Sequence, residues 1–485
     1  MQRHLRPFQT LAVAVAAVTV LAGAAPARAL PATGRPVYVT NSANPFGDIP
    51  PTGPANVARF AGSAAGTLTP KGTVPAGDGA RGLVITPDLR FAYVSSSGAG
   101  EIWMYRVGPQ GALTRFGAVP AEGTFGIAIA PNGRTVYAGN VDGRTFRVFA
   151  VRPDGTLRPL DEFDSGDETT KGLAVTPDGR FLYISHGSPG DVRRSRLTGY
   201  ALGPDGRPVR QVASRPHGVS GAETVITPNG RFVYVVCQES DDLFGFRIGP
   251  DGGLTPVPGT ETGLPAGDFP EGAGISPDGR RLYVAALSTV GEGQAPGQVL
   301  GFTIGADGTL TRDIDPVTMT DPIGFGFAPD GRHVYISDFS DNIVNAFAIG
   351  AGGNLTLIQT ESSQGPRPAF HSVTVLPNLG PTAAFSARPA AAGSPTRFDG
   401  SASSDPDGRI ARYDWNFGDG TILADGGPAP EHVYRSPGAH QVRLTVTDDE
   451  GCSATLVFTG QVAICVGSTA ATATRTVGDA VMPVG

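Results

Sequence analysis

One short phrase recurs along this chain and constrains its fold more than any other feature. It reads apolar-x-apolar-Thr/Ser/Ala-Pro-Asp/Asn-Gly-Arg-x-x-Tyr-apolar, with Leu89 in place of the glycine in the first copy. The prolines of the complete copies are Pro87, Pro131, Pro177, Pro228, Pro277 and Pro329. Their spacing of 44 to 52 residues is typical of the four-stranded blades of a β-propeller.

A seventh copy of the phrase is divided between the two ends of the repeat region. Ser372–Asn378 supplies its first half and Arg35–Asn41 its second half. This division predicts a closing blade shared by N-terminal and C-terminal strands, which leaves no open sheet edge. A second turn phrase, Gly-Pro-Asp-Gly-x-Leu or a close relative, follows each tyrosine and predicts a second hairpin in each blade. We therefore predict an all-β chain with a seven-bladed β-propeller.

The composition and the N-terminus indicate a folded, exported protein. The 69 glycines and 43 prolines among 485 residues fall largely at periodic turns, which distinguishes this chain from a disordered one. The net charge of −7 and the lack of a basic block argue against a nucleic-acid partner. Residues 1–29 combine a positive start, the apolar run Leu11–Ala24 and a small-x-small motif. They predict a signal peptide cleaved after Ala29, a secreted or extracellular protein, and no membrane span after cleavage.

The three cysteines fit the same compartment. Cys237 follows a tyrosine strand and is predicted to be a buried, small apolar residue. Cys452 and Cys465 flank the strand-like run Ser453–Ile464, and in a secreted protein they predict a disulfide worth about 3 kcal/mol. The sequence has no CxxC, HExxH or paired-histidine spacing, so we predict no metal site and no cofactor.

The pattern changes after the last repeat. The phrases Phe398–Asp405, Trp415–Gly420 and His432–Tyr434 precede an alternating strand, and short strands around a single tryptophan indicate a small β-sandwich. This combination resembles a PKD (polycystic kidney disease) domain, which implies an Ig-like sandwich that spaces or binds. Trp415 and Phe417 are predicted core anchors. The predicted boundaries are 30–378 for the propeller, 379–382 for a linker, 383–466 for the sandwich and 467–485 for a flexible tail.

The repeat region resembles two overlapping groups of proteins. Tyr38–Asn41 spells the name phrase of the YVTN surface-layer propellers, and Arg35–Asn378 resembles the seven-bladed lactonase family, which includes 6-phosphogluconolactonase. The lactonase resemblance implies catalytic Arg, His and Glu side chains at set offsets from the repeat proline. The matching positions here carry other residues: Ala222, Glu223, Gln238, Lys171 and Ile323. Lactone opening needs a base or water-positioning group and a positive group over the oxyanion, so lactonase activity of the known type is disfavoured.

A different set of side chains is predicted to meet in the central channel. The residue six positions before each repeat proline lies where an inner strand enters the channel. These positions, with one neighbour, give the candidate ligand-binding residues Arg81, Lys171, Glu223, Glu271 and His371. No catalytic residue is assigned. Either these groups pair with one another and with channel water, or they bind a small molecule or ion.

Two functions follow from these observations. The favoured prediction is a secreted, monomeric, non-catalytic binding or scaffold protein, whose partner is an extracellular protein or an envelope polysaccharide. The alternative is a diverged extracellular lactonase-type hydrolase acting on a sugar lactone. The loops Gly187–Arg196 and Ser288–Gln298 are candidate contact surfaces under both. A self-paired channel mouth would favour the binding protein, and an open pocket with unpaired Arg81 and His371 would favour the enzyme.

Overall fold

Apolar residues that alternate along each repeat form antiparallel strands, and the sheets are arranged as a ring. The computed structural model describes residues 34–43, 53–166, 169–187, 195–260, 262–264, 269–287 and 296–478. The predicted signal peptide, most of the two predicted contact loops and residues 479–485 lie outside these ranges. Within them, no helix is long and apolar enough to cross a membrane. The described helices are two short 3₁₀ turns, Pro109–Gly111 and Thr469–Ala471.

Each blade contains four main strands, which we name from the channel outwards. The inner strands of blades 1 to 7 are Ala80–Ile85, Thr124–Ile129, Thr170–Val175, Gly221–Ile226, Pro270–Ile275, Pro322–Phe327 and Pro368–Val375. The second strands, which carry the repeat tyrosines, are Phe91–Ser96, Thr135–Asn140, Phe181–His186, Phe232–Cys237, Arg281–Ala286, His333–Asp338 and Arg35–Asn41.

The two outer layers complete the blades. The third strands are Glu101–Val107, Thr145–Val151, Arg196–Leu202, Asp242–Ile248, Gln298–Ile304, Ile343–Ile349 and Asn56–Gly62. The outermost strands are Leu113–Pro120, Leu157–Asp164, Pro208–Pro216, Leu254–Pro256 with Thr262–Gly263, Leu310–Thr318, Leu355–Ser362 and Leu68–Pro75.

Blade 7 closes the ring as predicted, because it contains strands from both ends of the repeat region. Its inner strand pairs antiparallel with Arg35–Asn41, so that Val39 lies opposite Val373. Neighbouring inner strands contact each other in order, and the inner strand of blade 7 contacts that of blade 1. The prediction of a seven-bladed propeller followed by a β-sandwich is confirmed.

The repeat tyrosines join adjacent blades. Six of them donate their hydroxyl to a glycine carbonyl in the outer turn of the next blade, as Tyr183 does to Gly252 at 2.9 Å. In blade 7 the corresponding turn is Gly62-Ser63-Ala64-Ala65-Gly66. The hydroxyl of Tyr335, which faces that blade, has no hydrogen-bond partner among the described residues.

The C-terminal domain is a sandwich of two sheets. One contains Ser386–Arg388, Pro395–Asp399 and Glu431–Val433, and the other contains Ile422–Leu423, Ile410–Asn416, Ala439–Asp448 and Thr472–Gly478. Trp415 and Phe417 are buried between the sheets, which confirms them as core anchors. The predicted flexible tail is wrong for Thr472–Gly478, which pairs with Ala439–Asp448. The sequence of this strand is mostly Thr and Ala, and Val477 is its one large buried apolar residue. The alternation of apolar and polar residues that indicates a strand is therefore weak here.

The sandwich is joined to the propeller through a buried arginine. Arg35, on the closing strand, donates to the carbonyl of Pro377 at 2.9 Å and pairs with Asp407 at 3.2 Å and with Glu450. It also donates to the side chain of Asn378 at 3.1 Å. A buried guanidinium needs this number of acceptors because its desolvation is costly. Arg35 therefore couples ring closure to the orientation of the sandwich.

We expect the tyrosine bonds to stabilise the ring. Tyr183→Phe leaves the carbonyl of Gly252 without its donor and should lower the free energy of unfolding by about 1–3 kcal/mol. Tyr335→Phe removes no described hydrogen bond and serves as the matched control, with an expected change below about 0.5 kcal/mol. Urea denaturation of both variants measures this difference, and equal losses would contradict it.

We expect the domain junction to make stability depend on pH. Burial, together with the nearby Asp407 and Asp448, raises the pKa of Asp405 to about 7. In the unfolded chain, an aspartate has a pKa of about 4. The folded protein therefore retains a proton that the unfolded chain has lost, and stability falls as the pH rises between these values. Asp405→Asn should flatten this slope and raise stability above pH 7 by on the order of 1 kcal/mol, after allowance for partial exposure. Thermal unfolding from pH 4 to 8 provides the measurement, and an unchanged slope would refute the assignment.

Candidate functional site

The candidate side chains lie where the inner strands begin, which we call the N-terminal mouth of the channel. The pairing register of the inner strands shifts near their start, as between Gly221 and Thr224 in blade 4. Such bulges re-aim side chains. In blade 7, His371 lies in a bulged stretch with a left-handed φ of 59°. This local geometry positions the candidate residues Lys171, Glu223, Glu271 and His371.

Two of the predicted residues are in direct contact. Nε2 of His371 contacts Oε2 of Glu223, although the two residues come from blades 7 and 4. Both side chains are at most 10% exposed. Oε1 of Glu223 accepts from its neighbour Thr224 N at 2.9 Å and from Nε2 of Gln461 at 3.3 Å. Every described polar atom of the Glu223 carboxylate is therefore engaged.

Lys171 and Glu271 form a second group, bridged by an amide. Nζ of Lys171 donates to Oε1 of Gln238 and, at 3.2 Å, to Ser220. Gln238 also hydrogen-bonds Glu271. Burial lowers the pKa of Lys171, and the nearby Glu271 opposes this change. Burial likewise raises the pKa of Glu271 against the effect of Lys171.

Arg81 lies against the rings of Phe125 and Phe370, which we call the aromatic layer. Its guanidinium lies 3.8 Å from the ring centroid of Phe125, and its Nε donates to Ser97 at 3.1 Å. Burial lowers the pKa of Arg81 to about 10, with Glu271 as the main opposing charge. The rings of Phe125 and Phe370 lie 5.1 Å apart and pack with Ala222. These apolar side chains occupy the space between the charged groups.

The opposite end of the channel is closed by the C-terminal domain. Cys452 and Cys465 form the predicted disulfide, and the residues between them, Ser453–Ile464, form a loop that we call the plug. The plug was predicted as one strand. It instead contains the two-residue strand Val457–Phe458, a turn and a strand that begins at Ala463, because its turn docks into the channel.

The plug completes the inner strands at their final residues. The amides of Ile129, Val175 and Ile226 donate to the carbonyls of Gln461, Gly460 and Thr459, at 3.0, 2.8 and 3.0 Å. Phe458 is fully buried among the side chains of blades 2 and 3. The sandwich therefore contacts the propeller directly, and its plug lies in the channel beneath the candidate site.

A small cavity remains between the plug and the contact of Glu223 with His371. It measures about 80 Å³ and is lined by Glu223, His371, Thr374, Gln461 and Val462, among others. A cavity of this size holds a few water molecules, whereas small-molecule sites commonly measure about 300–1,000 Å³.

The structure brings Glu223 and His371 into contact, links Lys171 to Glu271, and places Arg81 beside the aromatic layer. The sequence analysis missed Gln461 and Phe370. Gln461 carries no local signal, because it reaches the site only through docking of a distant domain. Phe370 neighbours a predicted residue, and only the blade 7 bulge turns both side chains inward.

A histidine paired with a carboxylate is able to accept a proton, and a buried lysine is able to stabilise negative charge.

Comparisons with known proteins agree with this architecture. The sequence model described as "Lactonase, 7-bladed beta-propeller" matches residues 56–171 and 164–265, and that of the PKD domain matches residues 378–463. A 6-phosphogluconolactonase of Cronobacter sakazakii is 28% identical over 276 residues, which cover 55% of this chain and 79% of that protein.

Solved structures support the fold alone. A periplasmic gluconolactonase of Pseudomonas aeruginosa superposes with a TM-score of 0.57 and 20% identity, over 70% of this chain and 99% of that chain. A protein from Lactobacillus plantarum gives a TM-score of 0.56 and 17% identity, over 70% of this chain and 99% of that chain.

We expect the disulfide to hold the plug in the channel. In a Cys452→Ser/Cys465→Ser variant, the amides of Ile129, Val175 and Ile226 should exchange with deuterium at least tenfold faster, since the plug supplies their acceptors. The amide of Val148, within blade 2, is the internal control. Hydrogen exchange with mass spectrometry reports both regions, and unchanged protection at the strand ends would show that the plug docks without the disulfide.

Proposed function

We propose that this chain, a lactonase-family seven-bladed propeller joined to a PKD domain, is an exported binding protein rather than a lactone hydrolase. The observation that carries the proposal is the closed channel. All five candidate side chains have partners within the protein, and the cavity that lies beside Glu223 and His371 measures about 80 Å³. The His371 side chain is 10% exposed and its ring lies 4.2 Å from that of Phe370, so a sugar lactone would have little access to it.

Export is supported by two independent features. Residues 1–29 have the charge and apolar pattern of a signal peptide. The pair Cys452–Cys465 forms a disulfide, a bond that persists in oxidising compartments outside the cytosol. The partner that we propose is an extracellular protein or an envelope polysaccharide.

A lactonase-type hydrolase is the second candidate, and a specific observation favours it. His371 and Glu223 form a buried pair of a kind that accepts protons during hydrolysis, and the curated relative named above is a 6-phosphogluconolactonase. In this mechanism His371 would activate water, Glu223 would hold the imidazole in place, and Lys171 or Arg81 would stabilise the oxyanion. Against this candidate, the chain has Ala222 and Ile323 where the lactonase resemblance implies arginines, and Glu223 and Lys171 where it implies histidines.

Hydrolysis assays distinguish the two candidates. The mature protein should show no turnover above buffer with aldonolactones or phospholactones, because the closed channel excludes them. His371→Ala and Arg81→Ala are assayed beside it, together with Arg312→Ala as a surface control. Turnover that His371→Ala and Arg81→Ala abolish but Arg312→Ala preserves would establish the hydrolase and overturn the binding proposal.

A further inference from the structure

The third strand of blade 7 carries a charge at a position that is uncharged in the other six blades. In blades 1 to 6 the third-strand residue opposite the repeat tyrosine is apolar or small: Met104, Val148, Gly199, Gly245, Gly301 and Ala346. In blade 7 the residue opposite Tyr38 is Arg59. The guanidinium of Arg59 is therefore a specific departure from the repeat pattern and not a consequence of the fold.

The outermost strand of blade 7 departs from the pattern at the same place. In four other blades this strand has a bulge whose extra residue packs an apolar side chain against the core: Phe116, Leu160, Val212 and Ile358. In blade 7 the pairing register shifts at Arg59, so that Lys71 and Gly72 lie opposite it. Because Gly72 supplies no side chain to fill the bulge, a cavity of about 110 Å³ remains beside it. Its lining includes Arg59, Lys71, Gly72, Ala112 and Leu113.

The two cations of this cavity are not neutralised by the protein. Nη1 of Arg59 donates to the carbonyl of Gln110 at 2.7 Å, and Nη2 donates to the carbonyl of Lys71 at 3.3 Å. In the part of the chain that the structure describes, neither Arg59 nor Lys71 pairs with a carboxylate. Arg397 of the sandwich, by contrast, pairs with Glu431 at 2.9 Å. A carbonyl orients a guanidinium without cancelling its charge, so the cavity has a positive potential that attracts an anion.

A third cation lies beside the same hairpin. Arg115 of blade 1 pairs across its sheet with Tyr105, whose hydroxyl donates to the carbonyl of Pro75 in blade 7 at 2.7 Å. The guanidinium of Arg115 lies 3.6 Å from the ring centroid of Trp103. Residues 53–75, which form the blade 7 hairpin, include no Asp or Glu, although the whole chain has a net charge of −7. The outer surface of blades 7 and 1 is therefore basic on an acidic protein.

We infer that the basic groove formed by Arg59, Lys71 and Arg115 binds an acidic polysaccharide, one anionic group of which enters the cavity. This inference rests on the proposed binding function and assigns it a surface and a ligand class. A cavity of about 110 Å³ holds one carboxylate or phosphate group with few waters, since each water occupies about 30 Å³, so the sugar rings would lie along the outside. Duplex DNA carries one charge per about 1.7 Å, and beyond the groove it would be repelled by the acidic remainder of the protein.

Calorimetric titration of the full mature chain at low salt tests the inference. Fragments of polygalacturonate supply carboxylates and fragments of polyglycerol phosphate supply phosphates, while neutral dextran and a short DNA duplex are the comparisons. Lys71→Glu reverses an exposed charge of the groove, and Arg312→Glu makes the same change on the exposed outermost strand of blade 5 as the matched control. Arg59→Met introduces the residue that blade 1 has at the equivalent position, which keeps the hairpin compatible with the fold.

We expect at least one acidic fragment to bind more tightly than dextran and DNA, and salt to weaken that binding. Lys71→Glu and Arg59→Met should each weaken it about tenfold or more, whereas Arg312→Glu should change it less than about twofold. Acidic-fragment binding that both groove variants retain would overturn the groove while leaving a binding protein. Tighter binding of dextran or DNA, or binding of no fragment, would overturn the assigned ligand class. The binding proposal itself fails separately, through lactone turnover in the assay above.

Discussion

The pairing of Arg35–Asn41 with Pro368–Val375 is the interaction on which the rest of this structure depends. It joins segments more than three hundred residues apart, so the loop-closure entropy must be offset by burial of residues such as Val37 and Val39. This strand pair also determines the channel and the domain junction. It places His371 across the channel from Glu223, and it positions Arg35 to bind the sandwich. Loss of the pairing would therefore disturb the ring, the candidate site and the domain junction together.

The channel charges form interdependent pairs. Glu223 faces His371 and Gln461, while Lys171 reaches Glu271 through Gln238. A buried ion pair adds little net stability, but removal of one partner leaves the other uncompensated. The effect of a single substitution here should therefore be compared with the effect of substituting its partner. Only then is a loss of activity attributable to function.

The sequence predicted those parts of the fold that local chemistry determines. The repeat turn needs a residue with positive φ, and even Leu89, which replaces the glycine, adopts a φ of 55°. Blade count, ring closure and the disulfide follow from such signals and their spacing. The sequence did not reveal Gln461 or the strand Thr472–Gly478, because both depend on surfaces that meet only after folding. The offset rule pointed to Ala222, and Glu223 entered the candidate set only as its neighbour, since a bulge determines which of two neighbours points to the charged site.

The plug changes how the two domains should be regarded. A PKD domain that only spaced the propeller from a surface would not need to bury Phe458 among the blades or to bond three inner strands. These contacts close the end of the channel that lies opposite the N-terminal mouth. Asp407 and Arg409 of the sandwich also line a second cavity together with residues of blades 6 and 7. The docked sandwich is thus part of the channel wall, and residues of both domains line the cavity beside Glu223 and His371.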